Sequence, residues 1–330
     1  MIAFFLRRLW QSFLVMLVAG FIAFMLFQYV GDPVNNMVGP FATLAERQEL
    51  RDALGLDRPA LVQFAAFAAN AAQGEFGMSY QHGVPVSRLM AERLPATLEL
   101  AAVAMVIALA VGIPLGVFTA LRPDSLLAHI ALIGSLVGVS LPTFLIGILL
   151  ILLFSVSLGW LPSFGRGEVV DVGWWSTGLL TLSGLRALVL PAVTLGLFQM
   201  TLIMRLVRAE MLEVLRTDYI KFARARGLTD RTIHFGHALK NTLVPVITIA
   251  GLQLGSVIAF SIIVETVFQW PGTGRMIIQA IQFGDVPVMA AYIVLIAFLF
   301  VAINFIVDLL YFMVDPRLRV ERTVTVGQAG

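Results

Sequence analysis

The 330-residue sequence has no cysteine, only two lysines, and charged residues at just 13% of the chain. Without cysteine there is no disulfide framework, no thiolate nucleophile and no thiolate metal site. So little charge, against about 25% in an ordinary soluble domain, excludes an all-aqueous fold. A net charge of +2 is too small to argue for nucleic acid. The lysines follow Ile220 and Leu239, so no Gly-Lys-Ser/Thr loop exists to cradle a phosphate. The four histidines, His82, His129, His234 and His237, form no His-Glu-x-x-His helix. His234 and His237 are three apart but lack nearby acidic or thiol ligands, so they read as interface residues.

What is abundant is apolar. Hydrophobic residues make up 59% of the chain, and the mean hydropathy is +0.92. A hydrocarbon core about 30 Å thick takes about 20 helical residues to cross. Six stretches meet that length: Leu9–Val30, Leu98–Leu121, Ile130–Phe154, Ala187–Leu206, Leu243–Phe268 and Val288–Met313. The fold class expected is an all-α integral membrane protein with six transmembrane helices. The first stretch follows Arg7 and Arg8 as a signal peptide would, but it is long and no convincing cleavage site follows, so it reads as a retained anchor. With the N-terminus inside, fourteen of the 22 Lys and Arg fall on the inner side and eight on the outer. That bias places both termini in the cytoplasm.

The expected organisation is an N-terminal span over 1–30, a small external helical domain over 31–96, a five-helix core over 97–316 with a cytoplasmic loop at 210–242, and a cytoplasmic tail over 317–330. Within 31–96, Thr43-Leu44-Ala45-Glu46 is a capping box and Gly55 a helix stop. Pro59 opens a second helix that Gly74 ends, and a third short helix runs from Pro85 to Arg93, ahead of Pro95. In the loop 155–186, Trp160, Trp174 and Trp175 read as interfacial anchors. The Gly- and Pro-rich stretch 269–288 should turn sharply.

Seven of the 22 Lys and Arg lie within Arg208–Lys240, around Gly227. Thr217 or Asp218 can cap a helix with Tyr219, Phe222, Ala223 and Arg226 on one face. Gly227 ends it, and Thr229 or Asp230 can cap a second helix with Phe235, Ala238 and Leu239 on one face. The positive-inside rule explains the charges of this helix–turn–helix elbow. It does not explain Tyr219, Phe222, Ile233 and Phe235 in an aqueous loop, where an apolar patch rimmed by charge marks a protein partner.

At these residues the chain resembles a known family. "EMLEVLRTDYIKFARARGLTDRTIHFGHALKNTLVPV" is similar to the cytoplasmic signature loop of ABC-importer permeases of the dipeptide/oligopeptide family. Ala223 and Gly227 keep the second alanine and the glycine of the broad signature; Lys221 and Phe222 replace its first two residues. "LGLDRPALVQF", "GEFGMSY", "RLPATLEL", "GIPLGV", "LGWLP", "LVLPAVTLGL", "IVETVFQWPGTGR" and "VDLLYFMVDPRLR" extend the likeness over almost the whole chain. The resemblance implies a type I ABC importer permease fold in a bacterial inner membrane, with di- or oligopeptides as cargo. It implies a second homologous permease, giving a heterodimer, two ABC ATPase subunits that hold the ATP and Mg, and an external substrate-binding protein. This chain would carry no cofactor and contact no nucleic acid. The coupling residues it implies are Ala223, Gly227, Leu228, Thr229, Asp230, Ile233, Phe235, His237 and Leu239, with Leu228–Leu239 as the helix pressed into the ATPase.

Asn304 and Asp308, four apart on the last span, and Gln199, Arg205 and Glu265 are polar residues within or near the ends of apolar stretches. They serve either the substrate path or interhelical contacts. A competing class, a stand-alone ion-coupled transporter or channel, would use Asp308 or Glu265 as its relay, but would have no need of the elbow.

Overall fold

The computed structural model describes residues 2–29, 43–54 and 58–314. Gly55 and the tail 317–330 lie outside the described residues. Helix α1 (Ile2–Tyr29) is followed by α2 (Leu44–Leu54), α3 (Ala60–Ala72), α4 (Val86–Leu121), α5 (Leu126–Ser140) and α6 (Thr143–Leu150). Helix α6 runs on as a π-helical stretch, Ile151–Ser157. A short hairpin follows, β1 (Val170–Val172) and β2 (Trp175–Thr177), then α7 (Leu182–Val214) and α8 (Asp218–Ala225). A second π-helical stretch, Thr232–Ala238, leads into α9 (Leu239–Val267); α10 (Thr273–Phe283) and α11 (Val286–Val314) complete the order.

Among the described residues, five helices are long and apolar enough to cross a membrane, and six crossings result if the bent pair α5/α6 counts as one. The expected third span, Ile130–Phe154, is therefore not one straight helix: it turns by 113° between Ser140 and Thr143. Pro142 has no N–H for the helix it would continue, and instead starts the next one, accepting at its carbonyl from Leu145 N (3.0 Å) and Ile146 N (3.2 Å). A second difference lies at Pro95. The expected separate helix from Pro85 to Arg93 is the first part of α4, which passes unbroken through Pro95 and Pro114. Packed membrane helices tolerate such losses because neighbours re-satisfy the freed backbone. Third, the Trp-rich loop holds a hairpin, with Val172 opposite Trp175 across Gly173. Trp174 and Trp160 are exposed and Trp175 half-buried.

The chain forms two compact units. The first comprises 1–97, 170–177 and 270–302. In it α3 lies along α1 through Phe64 with Phe21 and Phe24, and Phe67 with Phe24. The capping box is formed: Thr43 N donates to Glu46 Oε2 (2.8 Å) and Glu46 N to Thr43 Oγ1 (3.3 Å). Those bonds hold the Glu46 carboxyl below its ordinary range. The turn before α10 is pinned to α4 by Trp270 Nε1 donating to Ala96 O (2.9 Å) and Thr273 N to Thr97 Oγ1 (2.8 Å). Asp285, buried at the start of α11, accepts from Ser79 Oγ, Tyr80 N and Gln81 N, clipping the loop that follows α3.

The second unit comprises 98–169, 178–269 and 303–330. Its centre is α7 against α4 and α9. A Cβ on Gly112 would stand 2.9 Å from Met200 O, one on Gly116 2.7 Å from Met204 O, and one on Gly196 2.7 Å from Ala104 O. Small residues four apart let two backbones approach where lipid offers no hydrophobic drive, so dispersion does the work.

Candidate functional site

The elbow is built by two caps. Arg226 ends α8, and Gly227 takes the left-handed conformation at φ +79°, where a side chain would be strained. Leu228 N donates to Ala223 O (3.3 Å) and Gly227 N to Arg224 O (2.9 Å), the paired bonds of a Schellman closure. Of the two caps expected for the next helix, Thr229 serves: its carbonyl accepts from Ile233 N (3.0 Å), and its Oγ1 lies 3.4 Å from Thr232 N. Thr217 makes no cap bond to α8; its hydroxyl turns back to Val214 O (2.6 Å).

From Asp230 the helix is continuous to Val267, through the π stretch and Pro245. The second arm of the elbow and a membrane crossing are thus one rod. Asn241 Nδ2 donates to Tyr219 Oη (2.6 Å), bracing α8 against that rod.

Burial divides the expected coupling residues into two sets. Ala223 is almost fully buried and Ile233 fully so, with Ile220 and Ala238 beside them in the chain's own core. These hold the elbow together and do not face a partner. Gly227, Leu228, Thr229, Asp230, Phe235 and His237 are exposed, and Leu239 is half-buried. Phe222, missing from the expected set, is 64% exposed, more than Phe235 at 55%, and Arg226 lies 5.9 Å over its ring. Two expected faces therefore need correction. Ala223 does not share the outward face of Tyr219 and Phe222. Phe235 and Ala238 point apart, because a π turn is wider than the α turn from which their common face was inferred. The exposed aromatic set is Tyr219, Phe222 and Phe235, with Leu228 beside it and Lys221, Arg224, Arg226 and Arg231 around it.

The intramembrane polar residues are scattered. Glu265 is fully buried on α9 and accepts from Ser261 Oγ (3.0 Å). Gln199 is buried on α7, and its Oε1 has no partner among the described residues. Arg205 reaches Ser135 Oγ of α5 at 3.4 Å. Asn304 and Asp308 are half-buried on α11. Val307 packs onto Gly251 of α9, and Glu265 is fourteen residues, about 21 Å, further along that helix. Asp308 and Glu265 therefore belong to different levels and form no common relay.

Sequence reasoning missed a buried ion pair. Arg166 donates to Glu99 Oε2 at 2.6 Å with side chains 6% and 4% exposed, and Gly178 N lies 3.4 Å from the same oxygen. The sole sequence signal was that Glu99 stands inside an apolar run. Among the described residues no group of His, Asp or Glu is placed to hold a metal.

Two family models match this chain. Residues 112–320 match the binding-protein-dependent transport system inner membrane component, and residues 1–101 match the N-terminal region of such membrane components. A putative peptide transport system permease protein of Brucella abortus (strain 2308) is 40% identical over 324 residues, covering 97% of this chain and all of that protein. The di/tripeptide transport system permease of Pseudomonas aeruginosa (strain UCBPP-PA14) is 41% identical, covering 88% and 91%. The dipeptide transport system permease of Escherichia coli (strain K12) is 38% identical, covering 88% and 90%. A chain of the inward-facing MetNI methionine ABC transporter shares the fold at a TM-score of 0.54 and 22% identity, over 69% of this chain and 96% of that one.

Proposed function

The chain belongs to the family of binding-protein-dependent transport system inner membrane components, a permease subunit of an ABC importer, and from that premise we propose that its elbow is where separate ATPase subunits grip it. The observation that carries this reading is a cluster of exposed aromatics, Tyr219, Phe222 and Phe235, mounted on the end of a rod that is itself a membrane crossing. A partner that moves this patch moves the helix, since a rigid element transmits displacement that a slack loop dissipates. The surrounding guanidinium groups steer and orient the encounter.

The cargo we propose is a di- or oligopeptide, supported by the names of three relatives at about 40% identity. This chain forms half of the path, a second homologous permease the other half, and two ATPase subunits bind ATP and Mg. Both termini and the elbow lie in the cytoplasm. On the opposite side of a bacterial inner membrane, α2, the loop after α3, the hairpin and α10 are the segments available to a substrate-binding protein.

The test is co-purification of ATPase subunits with Phe222→Asp/Phe235→Asp against the natural sequence. The double variant should insert normally yet lose ATPase subunits at least tenfold. Recovery at the natural level, with uptake unchanged, would remove the elbow from the docking site.

A further inference from the structure

Helix α3 is out of place in an aqueous external domain. Between Arg58 and Glu75 no residue is charged, and of the 13 residues of α3 none is buried by the protein. Leu61 is 82% exposed and Val62 46%. Its sequence, ALVQFAAFAANAA, carries no charge, and Gln63 and Asn70 are its polar residues, whereas a helix lying in the headgroup plane needs a strongly charged face. Gln63 in its first turn and Gln73, which caps its end, are satisfied within the segment: Gln63 Nε2 donates to Arg58 O (2.7 Å) and Gln73 Nε2 to Ala69 O (3.1 Å).

The level at which α3 packs is the second observation. The membrane-crossing window of α1 is Leu6–Leu26. Phe64 and Phe67 of α3 stack on Phe21 and Phe24, inside that window. Deeper still, α3, α1 and Val294 of α11 line an open apolar cavity of about 220 Å³, with Phe13, Met16 and Gly20 on the α1 side. From Leu26 to Phe13 a helix descends about 20 Å, past the middle of a hydrocarbon core about 30 Å thick. A helix packed on the interior of a crossing cannot stand outside the bilayer that the crossing spans.

We propose that α3 enters the hydrocarbon beside α1 without crossing it, and that its outward face contacts lipid acyl chains. At 13 residues, about 20 Å, it is too short to span. A helix can sit there because all its backbone bonds are internal. Arg58, exposed just before it, stays at the water boundary.

This chain has no cysteine, so an introduced thiol is unique within it, and any cysteines of the partner subunits are first replaced by serine. In the assembled transporter, reconstituted in phosphatidylethanolamine/phosphatidylglycerol vesicles, a nitroxide is attached at Ala65→Cys, at Ala69→Cys, and at Gln81→Cys as the aqueous control. Collisional relaxation is then measured with oxygen and with a water-soluble nickel chelate. At 65 and 69 oxygen should relax the label several-fold more strongly than nickel, and at 81 the order should reverse. Nickel access at 65 and 69 equal to that at 81 would put α3 in water. Protection from both reagents would mean that a partner subunit covers this face. Either result overturns the proposal.

Discussion

At the scale of single residues, the Glu99–Arg166 pair is the most demanding feature. Two charges at 4% and 6% exposure are tolerable only together. Glu99→Gln leaves a buried guanidinium without its counter-charge, and should cost about 3–5 kcal/mol of stability. In detergent the single variant should melt well below the natural protein, with Glu99→Gln/Arg166→Gln recovering part of the loss. An unshifted melting temperature in the single variant would show the pair to be solvated. Gly227 is a milder case. Gly227→Ala at φ +79° should cost about 1–2 kcal/mol locally. Its readout is increased hydrogen exchange at the Leu228 amide, which the Schellman closure protects. That glycine was legible because helix stops of this kind are written in one residue. The ion pair was not, because Glu99 and Arg166 stand 67 positions apart and nothing local to Glu99 in its apolar run names its partner in the distant loop.

At the scale of elements, the capping box and the elbow were readable, since each is set by residues three or four apart. The fate of the prolines was not. Pro95, Pro114, Pro191 and Pro245 all lie within continuous helices, whereas Pro142 turns the chain by 113°. A missing N–H is common to all five, and what differs is the surrounding packing, which has no local signature. The π stretch was hidden for a similar reason: TIHFGHA has ordinary helical composition. Deleting Gly236 should convert it to an α turn, rotating Phe235 about 100° relative to α9. Chain insertion should be unaffected, while substrate-stimulated ATP hydrolysis falls several-fold; full stimulation in the deletion would make the π turn incidental. Helix α2 offers a pH test. Its Glu46 has a folded pKa below the ordinary one. The contribution of the capping box is therefore complete above the ordinary glutamate range and is lost as pH falls through the lowered folded value. Amide protection at Glu46, whose N–H bonds Thr43 Oγ1, should decline across that acidic window. In Thr43→Ala the decline should vanish.

At the scale of the whole molecule, the proposed docking of ATPase subunits at the elbow raises the question of how a push there would reach the other side of the membrane. The rod from Thr232 to Val267 has 36 residues, roughly 50 Å, against a hydrocarbon core of about 30 Å. Its far end is not loose. Phe268 O accepts from Gly165 N (3.0 Å), and the next residue is Arg166, held by Glu99 of α4. Gly147 of α6 lies close to the Phe268 ring and Val267. One helix therefore joins the exposed aromatics of the elbow to a buried ion pair near its opposite end, and all of these residues belong to one compact unit. Physical continuity alone does not establish coupling, which requires that both ends bias the same two-state element. Uptake by Glu99→Gln, by the Gly236 deletion and by the combination measures this directly. If the rod links the two ends, the combined loss should be well short of the product of the single losses, because either change already disconnects the same element. Multiplicative losses would mean that elbow and ion pair act independently, and would confine the work of the rod to its elbow end.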